Sequence, residues 1–313
     1  MTRLDWCSAG RALSTGILLL TMGTTSGTAE PEKGPELAIR CDDVGMCHAG
    51  NLAVKKLVAT GIPFSTSVMI ACPWYLEAVE ILEDQPQVSV GIHLTLNSEW
   101  QHYKWGPVLG RSEVPTLVDE NGHFHTTAAD FAAADADLQE VEKELRAQIE
   151  RALAAGLDVD YLDYHMLTAV STPELTSIVE DLAKEYRLGL SRYFGERSAS
   201  LWDIAPEKKL DELLEFVPRV KTGRPTLLVI HLGIDNSEMA ALIDVNNPDD
   251  PARVGIHRQA ELDALTSPEF RQAIEDHGIE LVTYRDLVER YGLDAMRRPQ
   301  GEPGYSMDDP AGD

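Results

Sequence analysis

Residues 39–51, IRCDDVGMCHAGN, place Asp42 and Asp43 side by side, after the apolar run LAI and before a glycine and a helix start. Adjacent carboxylates repel and push one pKa upward. A surface tolerates such a pair. A buried pair needs a cation between its members or a reason to hold a proton. Three histidines occupy comparable places: His93 in VSVGIHL (88–94), His165 at the end of VDYLDYH (159–165) and His231 in TLLVIHL (226–232). Two imidazoles and one carboxylate make an open metal site with positions left for water and substrate. Such a metal lowers the pKa of water and polarises a carbonyl oxygen. The other aspartate can then serve as general base. One histidine at a strand end is more often a hydrogen-bonded core residue. Three of them with an aspartate pair, all at equivalent ends, point to a shared site.

These residues need a frame that brings strand ends together. Apolar runs that read as buried strands cover 36–39, 65–71, 88–94, 159–165, 188–192, 226–232 and 279–284. Helix patterns lie between them. AGNLAVKKLVATG ends on Gly61, a C-terminal cap. WYLEAVEILEDQ follows Pro73. DLQEVEKELRAQIERALAAG puts Leu138, Val141, Leu145, Ile149 and Leu153 on one stripe. TPELTSIVEDLAKEY, PEKKLDELLEFV and SPEFRQAIEDHG complete the set. Strands separated by crossovers imply a parallel sheet with helices outside. The predicted fold is therefore α/β: a parallel β/α barrel, closed or nearly closed and distorted, of about seven strands. In such a barrel the catalytic groups sit at the C-terminal strand ends. An open doubly wound sheet is the alternative, but no GxGxxG follows the first strand and no phosphate-binding loop occurs.

Composition narrows the function classes. The 313 residues are 43% hydrophobic and 25% charged, with 27 basic against 52 acidic side chains and a net charge of −25. No basic patch stands out, which argues against nucleic acid, and the acidity argues against docking on anionic lipid. The N-terminus reads as an export signal. Arg3 and Arg11 precede ALSTGILLLTM, which is too short to span a bilayer, and Gly27 and Ala29 have signal-peptidase spacing. Cleavage after Ala29 would leave an exported protein, periplasmic or extracellular, with no membrane attachment. The predicted organisation is a signal peptide over 1–29, one domain over 30–292 and a disordered Pro/Gly/Asp-rich tail over 293–313. Cys41, Cys47 and Cys72 would remain, too few for a disulfide framework. They read as small buried residues, although Cys41 and Cys47 could bridge. A homo-oligomer is left open.

Several motifs in order carry a family resemblance. CDDVGMCHAGN, with Asn51, resembles the first motif of the YdjC-like carbohydrate deacetylases, the family that includes chito-oligosaccharide deacetylase. STSVMIACPWYLEAVEI, VGIHLTL, VPTLVDENGHF, YLDYHM, HLG and RQAELDALTSPEFRQAIEDHGIELVTY resemble its later blocks, over about residues 36–290. The resemblance implies a deacetylase barrel of the NodB-like or TIM-like kind. It implies a divalent metal held by Asp43, His93 and His165, with Asp42 as general base and His231 as candidate general acid. It also implies hydrolysis of an N-acetyl group on an amino sugar or oligosaccharide. Two nitrogen ligands favour zinc, and the carboxylate allows magnesium. Two departures stand out: MLTAV follows His165 where many members carry further histidines, and Leu232 replaces the proline of a His-Pro-Gly motif.

Other residues invite a reading. Arg258 could orient Asp42 or hold an oxyanion, and it is the better of the pair Arg253 and Arg258. Asp163 shares a strand face with His165 and could orient a ligand. Trp100, Tyr103 and Trp105 could stack on sugar rings or simply anchor their loop. His123 and His125 fit a surface hairpin better than a metal site, and His48 fits a helix start as well as a role. Two alternatives stay open: an esterase or amidase on a non-sugar substrate, and a catalytically weak sugar-binding protein.

Overall fold

Along the first strand the side chains alternate between two surroundings. Leu37, Ile39 and Cys41 pack into the large apolar layer beneath the helices. Ala38 joins a smaller cluster with Tyr161, Leu227, Val229, Val282, Tyr284 and Leu287. The period of two puts Arg40 and Asp42 on the same inner face as Ala38. The structure is a computed structural model that describes residues 34–247, 249 and 251–300. Its strands are β1 (Glu36–Val44), β2 (Phe64–Val68), β3 (Val88–Leu94), β4 (Val159–Tyr164), β5 (Gly189–Leu190), β6 (Arg197–Ser200), β7 (Thr226–His231) and β8 (Glu280–Val282). Its helices are α1 (His48–Val58), α2 (Tyr75–Leu82), α3 (Ala128–Ala133), α4 (Leu138–Ala154), α5 (Pro173–Tyr186), α6 (Lys209–Phe216), α7 (Val254–Thr266), α8 (Pro268–Asp276) and α9 (Tyr284–Tyr291).

All the strand pairs are parallel, in the order β5-β4-β3-β2-β1-β7-β6, with β8 also on β1. β7 runs along one edge of β1 from Leu37 to Asp42. The other edge is shared: β8 takes Glu36–Ala38 and β2 takes the stretch from Arg40 onward. β5 and β6 remain the two ends of the order, unpaired with each other. The sheet is thus a half-barrel and does not close. Among the described residues it has one strand more than the sequence predicts, because β6 reads RSAS and carries no apolar run.

The helices differ from the sequence pattern where polar groups are buried. On α4, Val141, Leu145 and Ile149 face the core as expected, but Leu138 and Leu153 are exposed. Glu144 and Gln148 are buried instead. Gln148 accepts from the Thr95 N–H at 2.9 Å and donates to the Thr95 carbonyl at 2.8 Å, which fixes the chain just after β3. Residues 293–300 include one short 3-10 turn, Leu293–Ala295, and two contacts with the rest of the chain. The Arg297 N–H donates to the Tyr193 carbonyl at 2.9 Å, and Arg298 pairs with Glu180 at 2.6 Å. The predicted signal peptide and the rest of the tail lie outside the described residues. Cys41, Cys47 and Cys72 are free and buried, so no bridge joins Cys41 to Cys47. Among the described residues no helix is long and apolar enough to cross a membrane.

The floor of the half-barrel is packed around Tyr161. Its ring stacks on Tyr284 with centroids 4.1 Å apart. Its hydroxyl donates to the Thr66 carbonyl at 2.9 Å and lies 3.0 Å from Ser67 Oγ. The face of the ring covers Gly91, where a Cβ would lie 2.4 Å from ring carbon. A ring held on three sides cannot retreat. Gly91→Ala should therefore cost about 1–3 kcal/mol through overpacking and lower the thermal midpoint, read by calorimetry. An unchanged midpoint would contradict this packing.

Candidate metal and catalytic centre

A regular strand would send Asp42 inward and Asp43 outward, beneath the helices. The chain avoids this. The β1–β2 register breaks between Cys41 and Val44, and Asp43 takes a left-handed φ of 60°. For a residue with a Cβ that conformation costs on the order of 1–2 kcal/mol, and aspartate is among the residues that tolerate it. The turn is held by the Met46 N–H on the Asp43 carbonyl at 3.1 Å. It brings the second carboxylate back to the inner side, beside His93 and His165. Behind β4, Met166 and Leu167 are also left-handed, with φ of 49° and 60°, so the chain leaves the sheet immediately after His165.

The three residues present lone pairs to one another. Asp43 Oδ1 lies 3.2 Å from His165 Nδ1 and 3.5 Å from His93 Nε2, and those two nitrogens are 3.3 Å apart. The far nitrogen of each imidazole is already engaged. His93 Nδ1 meets Asp163 Oδ2 at 2.8 Å, and His165 Nε2 meets Glu99 Oε2 at 2.9 Å. A neutral imidazole gives its one N–H to such a carboxylate and turns its lone pair to the centre. Asp43 Oδ1 is buried and has no partner other than these two imidazole nitrogens. Two nitrogens and one oxygen thus converge with nothing between them to satisfy all three, which is the donor set of an open zinc-type site. Asp43, His93 and His165 form a buried group able to hold a metal ion. Asp42, His93 and Asp163 also cluster, but the Arg40 guanidinium occupies the space between the two aspartates, 2.7 Å from Asp42 and 2.8 Å from Asp163.

The electrostatics favour a cation. Burial lowers the basicity of His93, but Asp163 and Asp42 outweigh it and raise the imidazole to about 9. Burial acts the same way on His165, where Glu99 and Asp43 raise it to about 10. Burial pushes the Asp43 carboxyl up, yet the Arg258 charge and the two histidines hold it well below the usual range. Without a metal, the centre gathers protons in its place.

Asp42 and Asp43 are wired to different arginines. Arg40 grips both Asp42 oxygens at 2.7 Å. Arg258 donates to Asp43 Oδ2 at 2.5 Å, leaving Oδ1 to the histidines. The contact expected between Arg258 and Asp42 is made by Arg40 instead, and Arg258 orients Asp43. His231 sits opposite Asp42 in the β1–β7 register. Its Nδ1 is buried without a partner. Burial lowers this imidazole to about 4, with Asp43 opposing and Arg258 assisting. Its backbone N–H donates to Glu261 Oε2 at 2.7 Å, and Glu261 pairs with the fully buried Lys209 at 2.6 Å. The sequence reading passed over Arg40 and Glu99. Each stands in a segment already singled out, two residues before Asp42 and beside Trp100, and only the folded chain shows what they touch.

These groups open into a cavity of about 490 Å³, within the usual size of a small-molecule site. Trp100 lines it, but it is buried and its ring lies under the Arg258 guanidinium. Trp105 is buried with its N–H on the Asn97 carbonyl at 2.9 Å. Tyr103 is half-buried and donates to the Met46 carbonyl. The three aromatics therefore anchor their loop. The half-exposed Trp202, 5.1 Å from the His231 ring, offers its surface to the cavity. His48, His123 and His125 lie outside it. They bond to Glu77, Asp119 and the Thr116 carbonyl.

A parallel half-barrel with a buried carboxylate and two histidines at its strand ends defines an α/β protein with a metal-capable centre. The chain belongs to the YdjC-like protein family, whose family model matches residues 36–276. It is 28% identical over 265 residues to a carbohydrate deacetylase of Brevibacillus brevis, covering 80% of this chain and 99% of that protein. It is also 28% identical over 269 residues to a carbohydrate deacetylase of Enterococcus faecalis, covering 81% and 98%. A solved structure of a candidate cellobiose-phosphate cleavage protein from Enterococcus faecalis V583 matches with a TM-score of 0.65 at 27% identity, covering 82% of this chain and 99% of that one.

The shifts give a signed pH dependence for metal-free protein. His93 and His165 have folded values above the ordinary 6.5, so their stabilisation is full below pH 6.5 and is lost as pH rises through about 9 and 10. His231 has a folded value below 6.5, so its stabilisation is present above pH 6.5 and is lost as pH falls towards about 4. Thermal unfolding after chelation should show greatest stability near pH 6.5, with a decline toward pH 10. A profile that keeps rising to pH 10 would contradict the proton-filled centre.

Proposed function

We propose that the protein is a metal-dependent carbohydrate N-deacetylase, hydrolysing the acetamide of an amino sugar or oligosaccharide. The observation that carries this reading is the convergence of Asp43 Oδ1, His93 Nε2 and His165 Nδ1, with the opposite nitrogen of each imidazole engaged by a carboxylate. The carbohydrate deacetylases among its relatives support it. A divalent ion held by Asp43, His93 and His165, zinc or magnesium, would supply Lewis acidity there, lowering the pKa of water and polarising the acetyl carbonyl. Asp163 and Glu99 fix the two imidazoles, and Arg258 fixes Asp43 through its outer oxygen.

Asp42 is the general base. Arg40 holds both its oxygens, and each oxygen keeps a further lone pair for a proton. His231 is the group placed to deliver a proton to the leaving nitrogen. An imidazole held to about 4 is neutral at rest, so it can act as an acid only after taking a proton. The proton removed from water at Asp42 is then the one that His231, its neighbour across the strand pair, hands to the amine. Water adds to the carbonyl carbon and the C–N bond breaks; one water proton passes to the nitrogen through Asp42 and His231, the second is also taken up by the amine, and the products are acetate and the ammonium form of the sugar. Export, with residues 1–29 as leader, belongs to the same proposal and rests on the N-terminal sequence alone.

The two aspartates separate in a paired experiment. Asp42→Asn keeps the shape but cannot take a proton near neutral pH. It should retain metal while acetate release falls by about 10²–10⁴-fold. Asp43→Asn should lose metal first, with partial recovery in excess metal, as chelation and re-addition would do for the parent protein. Metal content measured beside acetate release checks both. Loss of metal in Asp42→Asn with retention in Asp43→Asn would reverse the assignment.

A further inference from the structure

The turn that presents Asp43 is gripped by a side chain the proposed chemistry does not use. Asn51 lies near the start of α1 and is fully buried. Asparagine is a poor helix former, because its amide competes for backbone groups. Here the amide bonds backbone outside its own helix. Its Oδ1 accepts from the Gly45 N–H at 2.8 Å. Its Nδ2 donates to the Trp74 carbonyl at 3.0 Å and to Glu77 Oε2 at 2.8 Å. A backbone donor on one side and a backbone carbonyl on the other fix which way the amide points. Aspartate would set an oxygen against the Trp74 carbonyl and Glu77. Leucine would leave the Gly45 N–H without this acceptor.

The gripped segment is the one that carries the metal ligand. Gly45, two residues beyond Asp43, is also left-handed, with a φ of 86°. A Cβ there would lie 3.0 Å from the Tyr75 Cα, so the turn sits hard against the start of α2. Trp74, Tyr75 and Glu77 thus form a platform, and Asn51 clamps the turn to it. Glu77 also meets His48 Nδ1 at 2.8 Å. Glu238, from the segment after β7, receives the first N–H groups of α1, from His48 at 3.2 Å and Ala49 at 2.7 Å. It does so where Cys47 supplies no side-chain cap. The helix that carries Asn51 is therefore itself held at its start.

We infer that Asn51, oriented by Glu77, is a positioning residue for the metal centre: it latches the Asp43–Met46 turn and so sets the place of Asp43 Oδ1. This rests on the metal reading of Asp43 and not on the identity of the substrate. Groups that orient a ligand, without touching the ion, govern metal affinity. The test is calorimetric titration of the chelated full chain with zinc at pH 7, beside exchange of the Met46 amide hydrogen followed by NMR. That amide closes the turn on the Asp43 carbonyl, whereas Asn51 holds Gly45. Asn51→Ala should bind zinc about 10–100-fold more weakly and exchange the Met46 hydrogen at least about tenfold faster. Glu77→Ala, at a partly exposed position, should show both changes at smaller size, and it decides if Asn51→Ala does not fold. Asn51→Asp/Glu77→Gln swaps donor and acceptor between the two side chains, keeps an acceptor for Gly45 and leaves the net charge unchanged. It should recover part of both losses, the Trp74 bond staying lost. Thr172→Ala removes the N-terminal cap of α5 and should lower the thermal midpoint while leaving zinc affinity alone. Unchanged zinc affinity in the folded single variants at Asn51 and Glu77, an equal loss in Thr172→Ala, or a swap that recovers nothing would overturn the inference. If the parent chain binds no zinc, the metal reading fails and the Met46 amide decides. Faster exchange in Asn51→Ala that the swap slows again then upholds the latch, and any other pattern overturns it.

Discussion

The centre depends on one constraint: Asp43 Oδ1, His93 Nε2 and His165 Nδ1 converge within 3.5 Å of one another, and only protons or a metal ion can reconcile them. Everything around them enforces this. Asp163 and Glu99 engage the far imidazole nitrogens. Arg258 takes the outer oxygen of Asp43 and leaves the inner one to the imidazoles. The left-handed turn at Asp43 accepts local backbone strain to place that oxygen. Strain at such a position persists only where the surrounding structure fixes it. Here the fixing comes from the bulge in β1, the Met46 turn and the Arg258 ion pair.

The half-barrel divides its inner face by height. At the floor, Ala38, Tyr161, Leu227, Val229 and Tyr284 pack as an apolar plug. Above it on the same strands come Arg40 and Asp42, His93, Asp163 and His165, and His231. The period of two therefore does two tasks on each strand: lower residues bury area, and upper residues carry charge. Arg40 ties the level together by joining β1 to β4 through Asp42 and Asp163 and to the end of β5 through Ser191. Such a buried ionic layer is not a source of net stability, since desolvation offsets much of its Coulomb energy. Its value lies in orientation.

Much of this was legible before the fold was known. Runs of apolar residues ending in Asp or His marked both the strands and the side on which the chemistry lies, because strand ends in a β/α architecture converge. The ordered motifs named the family. What escaped had physical reasons. β6 is a short polar strand held by its pairing with β7. α7 buries Arg258 and Glu261 as well as Leu262 and Leu265, so it shows no clean apolar stripe. Glu99 and Arg40 act through partners far along the chain, and no local spacing reveals a contact that only tertiary structure makes. The arginine paired with Asp42 was sought at 258 and found two residues away at 40, where the alternation of β1 places it on the inner face.

The central claim is that the centre exchanges protons for a metal ion. Calorimetric titration of chelated protein with zinc at pH 7, repeated in buffers of different ionisation enthalpy, reads both the stoichiometry and the protons released. With His93 and His165 raised to about 9 and 10 in the empty centre, a ligand set of neutral imidazoles must shed those protons on binding. The account predicts one ion per chain with release of close to two protons, both lost in His93→Ala/His165→Ala. Binding without proton release, or binding unchanged in that double variant, would contradict it.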